Sequence, residues 1–358
     1  YKDRLRTWEL EQRILQQKTT LENFQQEIEQ LFQKQTLSWE LAKENYRTLE
    51  QYKKQKRDLS KWIGKTLIEA GAFLNPKRIL SATAQTDAAS VHSRPCFLCQ
   101  KNRPQEQEFL SYKNYQILVN PYPVFEHHFT IADKEHRPQS IAGYFDDMIE
   151  FTDIMREYFL MYNGPECGAS APDHAHFQAC TKEEYMAGIS YDLSNDCTDL
   201  IDDDQLQINY VCAPASLINV QADSKETMSK TFHLIYDILS ADSNGKEPMM
   251  NILAWYGSEC TKDFLGDNYE DELEAATRYP YKCCIFLRSK HRPDCYFAKG
   301  DEQILISPAI AEMNGIFPIV REEDMEKLAP EKVYDIYQEV SISKEKLQEI
   351  AERIKAAL

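Results

Sequence analysis

Gly168-Ala169-Ser170-Ala171-Pro172-Asp173-His174-Ala175-His176-Phe177-Gln178 is the stretch on which the reading of this chain turns. If it is extended from His174 onward, a two-residue period puts His174, His176 and Gln178 on one face. Ala175, Phe177 and Ala179 then face the opposite way, where small and apolar side chains pack. Histidine is scarce, with 8 in 358 residues. Two imidazoles and a carboxamide behind a Gly-Ala-Ser turn make a poor core face but a good surface for phosphate. Any half-exposed strand also alternates, so the face needs support from the rest of the chain.

Working outward, the composition sets bounds. The apolar fraction of 42% supports ordinary cores. No apolar run is long enough to cross a bilayer, and the charged N-terminus is unlike an export signal, so a cytoplasmic protein with no membrane partner is expected. Ten cysteines in a chain of this length read as reduced thiols or metal ligands rather than a disulfide framework. A net charge of -17 argues against a nucleic-acid polymer as partner. Small anions remain open if a pocket supplies positive charge, and Lys77, Arg78, Lys134, Arg137, Arg288, Lys290 and Arg292 are the candidates.

Residues 9–57 read as helical. Leu21, Phe24, Ile28 and Leu31 form one stripe, and Trp39, Ala42, Tyr46 and Leu49 another. Packing on the main body is the expected use of both, with a homodimer contact as the alternative. From about residue 76 short apolar strands follow: Tyr115–Asn120, His128–Ala132, His174–Cys180 and Gln207–Cys212, with a helix over Ile141–Tyr158. A second series has a helix at Glu226–Leu239, strands at Asn251–Tyr256, Cys283–Arg288 and Gln303–Ser307, and a closing helix over Glu331–Ala356. Phe129–Pro138 and Cys284–Pro293 both run from an apolar strand into a turn ending His-Arg-Pro, which suggests a duplicated half. The acidic run Asp199–Asp204 reads as a solvated loop rather than a Mg²⁺ site.

Cys96-Phe97-Leu98-Cys99 supplies two thiols at a spacing that can chelate one zinc, which needs two more ligands. His136 and His174, at strand ends, are the best placed. A redox pair would open a helix, whereas Asn102-Arg103-Pro104 reads as a loop; unligated structural thiols are the third reading.

The motifs occur in one order: Cys-x-x-Cys, Asn120-Pro121-Tyr122-Pro123, His128, Lys134-Glu135-His136, Asn163-Gly164, then the His174/His176/Gln178 strand. Over residues 76–320 this order resembles the histidine-triad (HIT-like) superfamily. It is most similar to the branch of galactose-1-phosphate uridylyltransferases and dinucleoside-polyphosphate or GDP-sugar phosphorylases, which carry His-x-His-x-Gln. The resemblance implies an α+β fold of two HIT-like halves, antiparallel sheets with packed helices. These would span 76–215 (catalytic, with a zinc site) and 216–358 (degenerate, with a C-terminal helix), behind a helical region at 1–75. It further implies structural Zn²⁺ held by Cys96, Cys99, His136 and His174. His176 would be the nucleophile, Gln178 a phosphate contact, and Asn163, Gly168, Ala169 and Ser170 the substrate-binding positions.

The implied activity is nucleotidyl transfer or phosphorolysis through a covalent nucleotidyl-histidine. The partners would be a small-molecule nucleotide substrate and a phosphate-bearing acceptor. A HIT-type nucleotide hydrolase and a non-catalytic nucleotide-binding or scaffold protein are the alternatives. Two departures from the family pattern stand out. Asp173 separates Pro172 from His174, a spacing expected to displace Ser170, and Glu126-His127 rather than Gly precedes His128.

Overall fold

A computed structural model describes residues 2–85, 87–184, 197–257 and 277–358, to which the elements below refer. The chain opens with helices α1 (Lys2–Ser38) and α2 (Glu40–Lys53), broken at Trp39, whose extended backbone lets its side chain bury. The expected stripes lie against the body: Ile28, Leu31, Phe32, Ala42 and Leu49 are buried. The rest of the 1–75 segment is not helical. Strands β1 (Arg57–Asp58), β2 (Lys61–Ile63), β3 (Thr66–Ile68) and β4 (Gly71–Leu74) follow, ahead of short helices α3 (Ile79–Ala82) and α4 (Ala88–His92).

Ten strands then form one sheet. The first set is β5 (Phe109–Tyr112), β6 (Tyr115–Val119), β7 (His128–Asp133), α5 (Phe145–Ile154), β8 (Tyr158–Asn163) and β9 (His176–Thr181). The second is β10 (Cys197–Asp202), β11 (Leu206–Val211), β12 (Leu217–Ala222), α6 (Lys225–Ser240), β13 (Met250–Tyr256) and β14 (Tyr281–Leu287). The order in the sheet is β10-β11-β12-β14-β13-β8-β9-β7-β6-β5. Each set is three strands, a helix and two strands, with its last strand inserted between its third and fourth. The sets meet edge to edge, β8 antiparallel to β13.

Short helices α7 (Asp294–Phe297) and α8 (Ile310–Met313) lead to β15 (Ile316–Ile319), which pairs parallel with β4, so both ends of the chain share a small second sheet. Helices α9 (Glu322–Lys327), α10 (Pro330–Val340) and α11 (Lys344–Ala357) complete the chain.

The sheet is covered on both faces, which is why its central strands are buried throughout rather than alternating. On one face Ile131, Phe177, Leu160 and Ile285 pack with α5, α6 and α11. On the other Phe159, Met161, Trp255 and Phe286 pack with the segment 295–340. His176, Gln178 and Cys180 project toward this second face, since Cys180 belongs to its core and Phe177 and Ala179 to the first.

Four further sequence expectations of the fold fail for identifiable reasons. Gln303–Ser307 is extended but joins no strand among the described residues, because the buried Asp324 carboxylate takes the Leu305 N–H that a partner strand would have taken. The acidic run is not a loop: Cys197–Asp202 is edge strand β10, and its charges lie on an outer strand where further pairing is unwanted. The closing helix breaks at Ser341, which bridges to Arg288, and restarts where Ser343 Oγ accepts the Lys346 N–H. Finally, the His-Arg-Pro echo matches strands of different rank, since Phe129–Asp133 is third in its set and Cys284–Leu287 fifth in the other.

Candidate functional site

Cys96 and Cys99 lie on a tight turn in which the Cys99 N–H reaches the Cys96 carbonyl at 3.3 Å. Leu98, Leu118, Ala132 and Ala171 pack around it. His136 follows β7, and His174 stands in the bend before β9. The four ligand atoms lie within 4.8 Å of one another. Cys96 Sγ is 3.3 Å from His174 Nδ1, Cys99 Sγ 3.3 Å from His136 Nδ1, and Cys99 Sγ 3.6 Å from His174 Nδ1. Such edges suit a tetrahedron around an ion with bonds of about 2.0–2.3 Å. His174 Nε2 lies 2.8 Å from the Asp133 carbonyl; donating its proton there leaves the Nδ1 lone pair facing the thiols. These residues could hold a metal ion. Without one, burial first and the neighbouring Cys96 second push the Cys99 thiol up.

His174 does not lie on the strand itself. Pro172 and Asp173 form a turn closed by the His174 N–H to the Ala171 carbonyl at 3.1 Å, so β9 begins at His176. The bend points His174 at the thiols. Asp173, the inserted residue, pairs with Arg94 at 2.9 Å and approaches His136 Nε2 at 3.9 Å. Ser170, expected to be displaced by the Asp173 spacing, lines the cleft beside Gly168 and Ala169.

His176 Nδ1 lies 2.7 Å from the His174 carbonyl, which accepts its proton and leaves Nε2 with the lone pair. The ring is 6% exposed, and burial lowers its pKa to about 4. Its backbone is clamped at both groups by Gln139, whose Oε1 accepts the His176 N–H at 2.8 Å and whose Nε2 donates to the His176 and Asn163 carbonyls at 3.1 and 3.0 Å.

Gln178 is oriented by His128. The Val124 N–H donates to His128 Nδ1 at 3.2 Å, so the ring carries its proton on Nε2 and gives it to Gln178 Oε1 at 2.6 Å. The Gln178 NH₂ is thereby turned outward. Burial first, then Arg78, lowers the His128 pKa to about 3, which holds this neutral form. His127, its neighbour, stacks on Phe32 with ring centroids 4.1 Å apart. Neither Gln139 nor the role of His128 is legible in the sequence: a buried amide binding backbone leaves no spacing to read.

Gln178, His128, Asn163 and Gly168–Ser170 line a cleft, partly open to solvent, closed opposite by residues 305–307, 309–312 and 317–320. His176 is not among the lining side chains; it lies one pleat along from Gln178, toward the metal cluster. Asn163 Oδ1 accepts from Asn251 Nδ2 and the Ile310 N–H, both at 2.8 Å. Gly168 has φ +96°, and a Cβ there would come within 2.5 Å of Ala309 Cβ, so glycine is required where the two walls touch.

Of the basic candidates only Arg78 and Arg292 line the cleft. Arg288 is buried, with its guanidinium spent on Asn251 Oδ1 and the carbonyls of Val340, Pro308, Lys290 and His291. Lys77 lies 3.9 Å from Glu44, Arg137 pairs with Glu135, Lys134 donates to the Lys113 carbonyl, and Lys290 pairs with Asp294 and Glu339.

A family model described as a domain of unknown function (DUF4922) matches residues 31–181. No curated protein matches the sequence. Among solved structures the chain is similar to yeast Ap4A phosphorylase Apa2, with 12% identity, a TM-score of 0.49, and coverage of 85% of this chain and 98% of that one. In complex with AMP the same yeast protein matches at 14% identity and a TM-score of 0.48, covering 85% and 97%. A DUF4931 family protein from Bacillus cereus matches at 13% identity and a TM-score of 0.36, covering 58% of this chain and 96% of that one.

Proposed function

We propose that the chain is a nucleotidyltransferase or phosphorylase acting on a nucleoside diphosphate-sugar or dinucleoside polyphosphate through a nucleotidyl-His176 intermediate. The observation that carries this reading is the state of His176. Its Nδ1 proton is committed to the His174 carbonyl, its Nε2 lone pair has no partner among the described residues, and burial keeps the ring neutral at physiological pH. Nε2 attacks the α-phosphorus and forms a P–N bond. The P–O bond to the rest of the substrate breaks, and the departing oxygen keeps the electron pair. A phosphate oxygen of the acceptor then attacks the same phosphorus, and the P–N electrons return to Nε2. Throughout, the His174 carbonyl holds the Nδ1 proton while the ring becomes cationic and neutral again.

Gln178 donates its outward NH₂ to a non-bridging oxygen without adding charge. Asn163, Gly168, Ala169 and Ser170 hold the phosphates or sugar. Two thiols and two imidazoles suit structural zinc, which, bound by Cys96, Cys99, His136 and His174, would cross-link the 96–99 turn to the base of β9. The two strand sets, β5–β9 and β10–β14, are read as two HIT-like halves, which puts their boundary between Thr181 and Cys197 rather than at 215/216, and the second is read as having lost its metal pair and nucleophile.

The test is turnover of the full chain against a panel of labelled nucleotide sugars and dinucleoside polyphosphates, alone and with orthophosphate or a hexose 1-phosphate as acceptor. Phosphate-dependent release of a nucleoside diphosphate from a nucleotide sugar, or of a nucleoside diphosphate and its co-product from a dinucleoside polyphosphate, is the expected result. Monophosphate release without phosphate would make the chain a hydrolase, and no turnover across the panel would make it a binding protein.

A further inference from the structure

Two features of the cleft have no part in the chemistry above: its two arginines and the serine–histidine pair beside one of them. In a chain with 58 acidic and 41 basic side chains, many surface cations find a carboxylate. Neither Arg78 nor Arg292 has one within 4 Å among the described residues, although both line the cleft that Gln178 lines. Each is instead fixed by neutral acceptors. Arg292 donates from Nε to Ser307 Oγ at 3.0 Å and from one terminal nitrogen to the Ala82 and Ala84 carbonyls at 3.3 and 2.8 Å. Its plane rests on Tyr296, 4.3 Å from the ring centroid. Arg78 donates to the Tyr122 carbonyl at 2.6 Å.

The remaining guanidinium N–H groups have no protein acceptor among the described residues. Ser307 Oγ is also 3.1 Å from His291 Nε2, so the hydroxyl is held between an arginine and an imidazole, both lining the cleft. Glu312 is the carboxyl in the same wall; it accepts the Ala309 N–H at 2.9 Å as a helix cap, burial pushes its pKa up, and the charges of Arg78 and Arg288 act against that rise.

We propose that Arg292 and Ser307, with Arg78, form the subsite for the phosphate group of the acceptor. The inference rests on the cleft being a nucleotidyl-transfer site and assigns its second substrate. Two positive charges with free N–H donors and no carboxylate partner match a phosphate dianion, which they would hold by charge-assisted hydrogen bonds. Fixing Arg292 by neutral carbonyls and a hydroxyl leaves its charge unspent, and Arg78 feels Glu312 only through space, beyond ion-pair distance. The segment after β14 thus supplies to the cleft what β9 does not carry, a cation for the incoming phosphate. The phosphate group is common to orthophosphate and to a sugar phosphate.

Titration of the full chain with orthophosphate and, separately, with a hexose 1-phosphate, followed by calorimetry, tests this. The wild-type chain is expected to bind at least one of them saturably, with a Kd on the order of 1 mM. Tighter orthophosphate binding would identify a phosphorylase, and tighter hexose 1-phosphate binding a transferase. Arg292→Met should weaken the preferred ligand at least tenfold and Ser307→Ala about threefold. Since Arg292 also ties down Ala82 and Ala84, Arg78→Met serves as a further probe with one internal hydrogen bond to lose, and should also weaken binding at least tenfold. The proposal is overturned if the wild-type chain binds neither probe, or if folded Ser307→Ala and Arg78→Met both keep wild-type affinity. Absence of a nucleotidyl adduct on His176 would remove the transfer reading but leave this binding result standing.

Discussion

β9 and β14 occupy the same rank in two sets of strands with the same connectivity, yet their second faces differ in kind. On β9 that face carries His176 and Gln178, held by Gln139, His174 and His128. On β14 it carries Cys284 and Phe286, both packed into the core. The difference teaches that the backbone plan is indifferent to the chemistry, which resides in which side chains one strand turns to the cleft and in what orients them. What precedes each strand matters as much: a turn carrying metal-type ligands before β9, and before β14 no such cluster among the described residues.

Four experiments would break or sharpen this contrast. Replacing His176 with Ala should cost at least about 10³-fold in nucleotidyl transfer, whereas Cys284→Ala should change the rate less than about threefold and cost about 1 kcal/mol of stability. Comparable rate losses in the two variants, measured under saturating substrate, would erase the distinction. Next, Cys96→Ser or exhaustive chelation should release the metal and lower Tm by roughly 5–10 °C. A purified chain that contains no metal and melts normally would remove the metal from the account.

The third experiment uses acidity. An ordinary histidine, with a pKa near 6.5, would leave only about one ring in thirty neutral at pH 5. His176, with its pKa lowered to about 4, stays mostly unprotonated there. The first half-reaction, followed as label incorporation, should therefore hold its rate from pH 7 to pH 5 and fall only as pH approaches 4. An acid limb centred near 6.5 would mean that the nucleophile is not this buried ring. The smallest effect belongs to His128→Leu. It frees Gln178 Oε1 and lets the amide turn, and roughly tenfold in rate should be lost with metal content unchanged. A wild-type rate would mean that Gln178 keeps its orientation without the imidazole.

How much of this was legible in the sequence depends on the kind of signal. The CxxC spacing and the strand-end histidines drew Cys96, Cys99, His136 and His174 together because thiols and imidazoles are common zinc ligands and few of either occur close by. Strand alternation put His176 and Gln178 on one side for purely geometric reasons. What escaped was set by partners distant in sequence. Asp324 diverts Leu305 from a strand across 19 residues, and β15 completes a sheet with β4 from the other end of the chain. Gln139 binds backbone only, so nothing in its neighbours marks it. The basic candidates show the same limit, since charge is visible in a sequence but its neutralisation is not. Arg288 is consumed by carbonyls, Lys290 by carboxylates, and only Arg78 and Arg292 face the cleft.

The most direct test of the central claim is to mix the full chain with a labelled nucleotide substrate, quench in alkali, and locate the label by peptide mass spectrometry. A nucleotidyl group on His176, stable to alkali and lost in acid, absent from His176→Ala and discharged by a phosphate acceptor, is the predicted result. Substrate turnover with no label on the protein, or with label on a residue other than His176, would contradict it.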